Sequence, residues 1–198
     1  MTEQSDRILG WRLWRVGAGR LGSWAVTHDW APGPNRARCL APNTARCLAS
    51  PGRHCRCGFW ALHSPLDCLA RARYDGGGRW PVIGLMRGWG TVAVHGKEGF
   101  RCEHAAVACL FSDWPFIPRE KRLRGGRWTR WWRVLSLLLE GESGPPPRDQ
   151  HDRDEALRDV AARYAVPLVS FVDSIRLGLL QELDVGAAAV NELQVWLS

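Results

Sequence analysis

Four of the seven cysteines of the chain lie within nineteen residues, from Cys39 to Cys57. Thiolate sulfur is the preferred ligand of zinc in structural sites, which take about four ligands in a tetrahedron. Cys55 and Cys57 are two residues apart, so both side chains point to the same side of an extended segment. Cys39 and Cys47 could supply the other two thiolates, and His54 is an alternative fourth ligand. The spacing therefore predicts a structural zinc site.

Two features of the same segment are compatible with cysteines that bind no metal. The sequence ARCLA occurs twice, at residues 37–41 and 45–49, so Cys47 could be a duplicated copy of Cys39 without a role of its own. His54 and Cys55 are adjacent and would point apart in an extended strand. Unligated cysteines in the core and a redox or catalytic thiol thus remain alternatives to zinc.

A second group of ionisable residues surrounds a predicted hairpin loop, HGKEGF. His95 opens this loop, and Arg101 and Glu103 share one face of the strand that follows. Glu103 could orient His95 as a general base, and a thiol- or metal-dependent enzyme would use Cys57 together with both. A surface salt bridge and a turn histidine account for the same residues without catalysis, and the sequence favours that interpretation.

Residues 119–133 form a strongly basic segment, with seven basic residues and one acidic residue interleaved with tryptophans. Guanidinium groups neutralise phosphates and aromatic rings stack on bases, so the composition fits single-stranded nucleic acid or RNA. The apolar residues have helical spacing, which also suits docking on the domain or contact with an anionic membrane surface. The residues expected to bind nucleic acid or an acidic protein are Arg122, Arg124, Arg127, Trp128, Arg130, Trp131 and Arg133.

The composition of the 198 residues is that of a globular chain, with 45% apolar and 24% charged residues. This excludes the disordered and the membrane-spanning classes, since no apolar run reaches the roughly 18 residues that a span requires. The N-terminus lacks the basic start and apolar centre of a secretory signal. We therefore expect a cytoplasmic protein whose cysteines stay reduced.

The net charge of +7 is divided unevenly along the chain. Residues 1–135 hold 22 basic and 9 acidic residues, for a charge of +13, and residues 136–198 have a charge of −6. Such a distribution allows either an external polyanionic partner or pairing of the acidic region with the basic one.

The remaining patterns predict the elements that would position these residues. Two short runs around GAGR, residues 17–20, predict a hairpin, so the GxGxxG spelling of residues 17–22 does not open a dinucleotide-binding helix. Ser64-Pro65 predicts the start of a helix, and apolar residues at helical spacing over 157–164 predict another helix with one apolar face. The glycine- and valine-rich stretch from Val82 to Leu110 predicts two or three antiparallel strands in a strongly curved sheet or partly closed barrel.

These elements define the expected organisation of the chain. The fold class is α+β: a curved antiparallel sheet with one or two packed helices, a structural zinc and a helical C-terminal extension. The expected divisions are a cysteine-containing domain at 1–118, a basic tryptophan-rich amphipathic helix at 119–140, a Gly/Pro linker at 141–150, and an acidic helical region at 151–198.

Residues 8–118 also resemble a known group of sequences. The segment HCRCGFWA, followed by VIGLMRGWGTVAVHGKEGFRCEHA, resembles a widespread group of small, uncharacterised bacterial proteins. The resemblance implies a shared fold and gives no information on activity. It is carried by Cys55, Cys57, Gly58, Trp89, Gly90, Val92, His95, Gly99, Phe100, Arg101 and Glu103.

The functional prediction joins the cysteine cluster and the charge. We expect a non-enzymatic, zinc-stabilised binding or regulatory module, with zinc as the cofactor and a nucleic acid or an acidic protein as the partner. The thiol- or metal-dependent enzyme described above is the alternative.

Overall fold

The structure is a computed structural model of the chain, and it describes residues 7–41, 47–72, 80–113 and 147–176. The predicted basic helix at 119–140, with all of its candidate binding residues, lies outside the described residues. So does the part of the predicted acidic helical region that follows residue 176. No helix in the described part of the chain is long and apolar enough to cross a membrane.

The described residues contain seven strands and three helices. The strands are β1 (Ile8–Gly17), β2 (Arg20–Ser23), β3 (Asn35–Arg36), β4 (Phe59–Leu62), β5 (Trp80–His95), β6 (Gly99–Phe111) and β7 (Leu168–Val169). The helices are α1 (Pro65–Arg71), α2 (Pro147–Tyr164) and α3 (Phe171–Arg176).

Four of the strands pair in a closed ring. Antiparallel pairing joins β1 to β5, β5 to β6 and β6 to β4. Strand β4 returns to β1 through the pair Trp11 and Leu62. The Arg12 guanidinium adds a hydrogen bond from β1 to the Trp60 carbonyl of β4. The predicted α+β fold with a mostly antiparallel sheet is confirmed.

Strands β5 and β6 form the long hairpin at the centre of this ring. Their pairing is interrupted by register shifts between Leu85 and Met86 and between Trp89 and Val92. Glycine permits the close approach of the two strands, since a Cβ on Gly84 would lie 2.2 Å from the Cys109 carbonyl oxygen. The glycines of this stretch therefore mark bulges and close contacts within strands, as the sequence predicts.

The first hairpin has the turn that its sequence predicts. Ala18 and Gly19 connect β1 to β2 and both have positive φ angles, 50° and 67°. Two such residues in succession are typical of the tight turns that match the twist of a hairpin. Residues 17–22 are therefore part of a β-hairpin and not of a nucleotide-binding loop.

Helix α2 packs on the core of the ring through one stripe. Leu157, Val160, Ala161 and Tyr164 are buried, which confirms the predicted apolar face. The Tyr164 hydroxyl accepts a hydrogen bond from the Leu21 N–H at 3.1 Å and donates one to the Trp30 carbonyl at 2.5 Å. The helix begins at Pro147, inside the segment predicted as a linker.

Strand β7 continues the sheet after α2. It pairs in parallel with β6, with Leu168 opposite Leu110. Asp113, just after β6, accepts hydrogen bonds from the backbone N–H groups of Phe171 and Val172 at the start of α3. The described C-terminal elements are thus attached to the same sheet as the cysteine-containing segment.

Candidate metal centre

The four candidate cysteines lie in the connection between β3 and β4, which we call the metal loop (residues 37–58). Both flanking strands pair with β6. Asn35 of β3 is opposite Ala105, and Phe59 of β4 is opposite Cys102. The two ends of the loop are therefore anchored on one strand, which brings Cys39 at its start close to Cys55 and Cys57 at its end.

The sulfurs of Cys39, Cys47, Cys55 and Cys57 all lie within 4.8 Å of one another. The Sγ atoms of Cys39 and Cys55 are 3.7 Å apart. Four sulfurs around zinc, each about 2.3 Å from the ion, are roughly 3.8 Å apart in a tetrahedron. The cluster therefore has the size and the donor set to hold a metal ion.

The cluster contains four thiols and no imidazole. Cys47 belongs to it, so the second ARCLA repeat contributes a sulfur. His54 is exposed and is not among the grouped residues. Cys68 and Cys102, which are both fully buried, lie in α1 and β6. An all-sulfur set suits zinc and other thiophilic metals better than magnesium or calcium.

The backbone around Gly52 shapes the end of the metal loop. The Cys55 N–H donates to the Gly52 carbonyl at 3.2 Å, which closes a turn. The Gly52 N–H in turn donates to Cys57 Sγ at 3.2 Å. Hydrogen bonds from backbone N–H groups stabilise a thiolate. This turn therefore favours the ionised form of a cysteine that metal binding requires.

The environment of the cluster lowers the pKa values of two of its thiols and raises that of a third. Backbone hydrogen bonds at Cys47 and Ala41 lower the pKa of Cys39 to about 7. Burial, followed by hydrogen bonds with neighbouring thiols, raises the pKa of Cys47 to about 12. At Cys57 burial raises the pKa, but hydrogen bonding to the sulfur outweighs it and the net pKa is lowered. A bound cation would replace the protons that remain.

Arg101 of β6 connects the metal loop to the sheet. Its side chain is 3% exposed. One terminal nitrogen donates to the carbonyl oxygens of Cys55 and Cys57, the second at 2.9 Å. Its Nε donates to Nε2 of His95 at 2.7 Å, and its guanidinium carbon lies 5.4 Å from the centre of the Trp60 ring. The His95 ring stacks on Trp60, with 4.6 Å between ring centres.

The group of ionisable residues at the hairpin is arranged differently from the prediction. His95 is bonded to Arg101, whereas the Glu103 carboxylate contacts the Thr91 hydroxyl and the Arg36 guanidinium, each at 3.2 Å. The described contacts of Glu103 thus give it no part in orienting His95. Hydrogen bonds with Thr91 outweigh desolvation at Glu103, so its pKa is lowered and it remains an anion.

The surface of the metal loop is basic. No acidic residue occurs between residues 30 and 66, a stretch that holds five arginines. Arg36 is paired with Glu103, but in the part of the chain that the structure describes no carboxylate pairs with Arg53 or Arg56, which are exposed. Leu40 and Leu48, each next to a cysteine of the cluster, are also exposed.

Comparison with known proteins finds no matching family model, no similar curated protein and no similar solved structure. The site is therefore interpreted from its own chemistry. The sequence indicated the four sulfurs and placed Arg101 beside the hairpin loop, but it did not indicate that Arg101 and Gly52 contact the cysteine segment, because these contacts depend on how the metal loop folds against the sheet. Alternation along β6 gives part of this information. Phe100 and Cys102 face the core, so Arg101 is on the opposite face, from which it reaches the metal loop,.

Proposed function

We propose that the protein is a non-enzymatic binding module whose metal loop is held in shape by one zinc ion. The convergence of the four cysteine sulfurs, all within 4.8 Å of one another, carries this proposal. Four protein ligands fill the tetrahedron of zinc, whereas a catalytic zinc keeps one position for water or substrate. A four-thiol set therefore suits a structural ion.

The metal loop needs such an ion because it contains little regular structure. In its described residues no helix or strand occurs between Arg36 and Phe59. Its exposed Leu40 and Leu48 bury little apolar surface. Metal binding to the folded form adds directly to the free energy of folding, so zinc would order a loop that has no regular secondary structure in its described residues,. Reduced thiolates also fit a cytoplasmic location, which we propose for this protein.

The proposed partner is a nucleic acid. Arg53 and Arg56 are exposed and unpaired in the described part of the chain, and they lie in a loop without carboxylates. Guanidinium groups arranged in this way bind phosphates and release counterions. The exposed Leu40 and Leu48 favour a protein as the second candidate, because an apolar surface would cover them, and the nearby arginines favour an acidic one,.

Metal analysis tests the first part of the proposal. Protein purified without chelator should contain one zinc per chain, and removal of zinc should release four additional reactive thiols. A metal-free protein with unchanged thiol reactivity after chelation would contradict the structural ion. Three protected thiols with a metal-bound water would instead favour a metal-dependent enzyme.

Salt-dependent binding tests the second part. Affinity for a fluorescein-labelled 20-nucleotide single-stranded RNA should fall steeply between 50 and 200 mM salt. The double variant R53A/R56A should reduce the slope of log affinity against log salt by up to about 1.4, since each lost phosphate contact removes roughly 0.7. R158A, at an exposed arginine of α2, is the matched control. Binding to polyglutamate and not to RNA would favour the acidic protein.

A further inference from the structure

We infer that Arg101 is a positioning residue of the metal centre, which sets the metal affinity by holding the backbone on both sides of Arg56. This inference rests on the proposed zinc site. The two carbonyl groups that accept from Arg101 belong to Cys55 and Cys57, the two closely spaced ligands. Their sulfurs can face one ion only while this short backbone segment keeps its conformation, and the guanidinium fixes both ends of it.

The burial of Arg101 supports a role that depends on the metal. Its side chain is 3% exposed, and the partners that the structure gives it are two carbonyl groups, an imidazole and an aromatic ring. None of these carries a full negative charge, and a buried cation without a counter-charge is costly. Zinc with four thiolates has a net charge of −2, so the loaded site supplies the charge that the guanidinium lacks.

The hydrogen bonds made at position 101 require the guanidinium group of arginine, and a positive charge alone would not make them. Arg101 uses one terminal nitrogen for the metal loop and Nε for His95, so its contacts point in two directions from a planar group. A lysine ammonium is a single point on a flexible stem and cannot reproduce this fork. Gly58 permits the approach of β6 to the loop, because a Cβ at this position would lie 3.2 Å from the Arg101 Cβ.

His95 holds Arg101 in place. An arginine can only donate, so His95 Nε2 must be the acceptor and the hydrogen of this neutral ring lies on Nδ1,. The ring is itself fixed by stacking on Trp60 of β4. A continuous set of contacts therefore runs from Trp60 of β4 and His95 of β5 to Arg101, which holds the Cys55 and Cys57 carbonyls, while Trp60 Nε1 donates to the Arg56 carbonyl between them at 3.2 Å.

Zinc affinity measured by competition with a chromophoric chelator, together with the visible spectrum of the cobalt-substituted protein, tests the inference. We expect R101M to weaken zinc binding about 10- to 100-fold, the usual range for residues that orient metal ligands, and to shift the cobalt bands. R101K should lose nearly as much, because it keeps the charge without the fork. R36A, which removes the exposed Arg36 side chain of β3 and its ion pair with Glu103 of β6, should bind as the wild type does.

Two substitutions at His95 distinguish loss of the contact with Arg101 from a general folding defect. H95Q retains an acceptor for Arg101 and should stay within about threefold of wild-type affinity, whereas H95F retains a ring on Trp60 without an acceptor and should weaken zinc binding about tenfold. Folding of each variant is checked by circular dichroism, and the H95Q and H95F pair remains informative if R101M does not fold.

The outcomes separate this inference from the proposed function. Wild-type affinity and an unchanged cobalt spectrum in the Arg101 variants would overturn the positioning role while leaving the zinc site intact. Full recovery in R101K would show that charge alone matters and would also overturn it. A wild-type protein that binds neither zinc nor cobalt would instead refute the proposed function.

Discussion

Gly52 lies directly against the sulfur of Cys47. A Cβ built on Gly52 would be 2.2 Å from Cys47 Sγ and 2.9 Å from its Cβ. The same glycine donates its N–H to the sulfur of Cys57 and accepts a hydrogen bond from the Cys55 backbone. One residue without a side chain therefore contacts three of the four proposed ligands, and no sequence pattern in the cysteine segment indicates this role.

We expect G52A to weaken zinc binding at least about tenfold, because the added methyl group must displace the Cys47 sulfur from the cluster. Zinc stoichiometry and chelator competition measure the effect. G22A is the control: a Cβ there would be 3.6 Å from its nearest neighbour, which is ordinary contact. If G52A bound one zinc with wild-type affinity, Cys47 would not be a ligand in the arrangement described.

The sequence indicated those parts of the site that depend on local spacing. Cys55 and Cys57 are two residues apart in a short segment, whereas the repeat around Cys39 and Cys47 left open whether Cys47 has a role, and the structure places its sulfur in the cluster. The role of Arg101 was not predictable, because its two carbonyl partners in the metal loop are 44 to 46 residues away in the chain. A charged residue on a strand gives no sign of whether it will be buried under a distant loop.

The same distinction holds for the fold. Periodicity predicted the buried stripe of α2, and glycine content predicted the irregular β5–β6 hairpin. Neither could show that the sheet closes through the Trp11–Leu62 pair, or that Tyr164 would bond to the backbone of Leu21 and Trp30. Both contacts depend on which surfaces meet in three dimensions, a choice that the spacing of apolar residues leaves open.

The reactivity of the thiols should depend sharply on zinc. Cys68 and Cys102 are fully buried, and burial raises the pKa of both. Burial also raises the pKa of the partly exposed Cys109. Zinc-loaded protein should therefore give at most one slowly reacting thiol with a disulfide reagent, and chelation should add four.

C109S is the control for this measurement, because it should remove the slow thiol and leave the four zinc-dependent ones. C55S should instead abolish stoichiometric zinc binding. Rapid reaction of the Cys39 and Cys57 thiols in protein that retains its zinc would show that these residues do not ligate the ion.

The packing of α2 against the sheet should depend on the hydroxyl group of Tyr164. Y164F leaves the Leu21 N–H and the Trp30 carbonyl without their buried partner, so we expect a loss of about 1–3 kcal/mol in the free energy of unfolding,. Urea denaturation measures it. R163A, which removes an exposed hydrogen bond to the Gly19 carbonyl, should change stability by less than about 0.5 kcal/mol,.

Zinc affinity should be unchanged in Y164F, because the hydrogen bonds of the Tyr164 hydroxyl go to Leu21 of β2 and to Trp30 in the β2–β3 connection. Equal stability of Y164F and R163A would indicate that the helix is held by its apolar stripe alone.

The buried Cys102 thiol should make stability fall in alkaline solution. Burial raises its pKa from an ordinary value of 9.0 to about 12. Above pH 9 the unfolded chain loses this proton while the native protein keeps it, so the unfolded state binds fewer protons and the free energy of unfolding decreases as pH rises. The contribution is complete below pH 9 and is lost progressively towards pH 12.

C102A isolates this effect, since removal of the sulfur changes packing equally at every pH. Between pH 8 and pH 10 the stability advantage of the zinc-loaded wild type over zinc-loaded C102A should shrink by about 1.4 kcal/mol, measured by urea denaturation. The sulfur also lies 3.6 Å from the Phe59 carbonyl, to which only the protonated thiol can donate. Parallel stability curves for the two proteins would mean that Cys102 ionises equally in the folded and unfolded states, contrary to its complete burial in the ring.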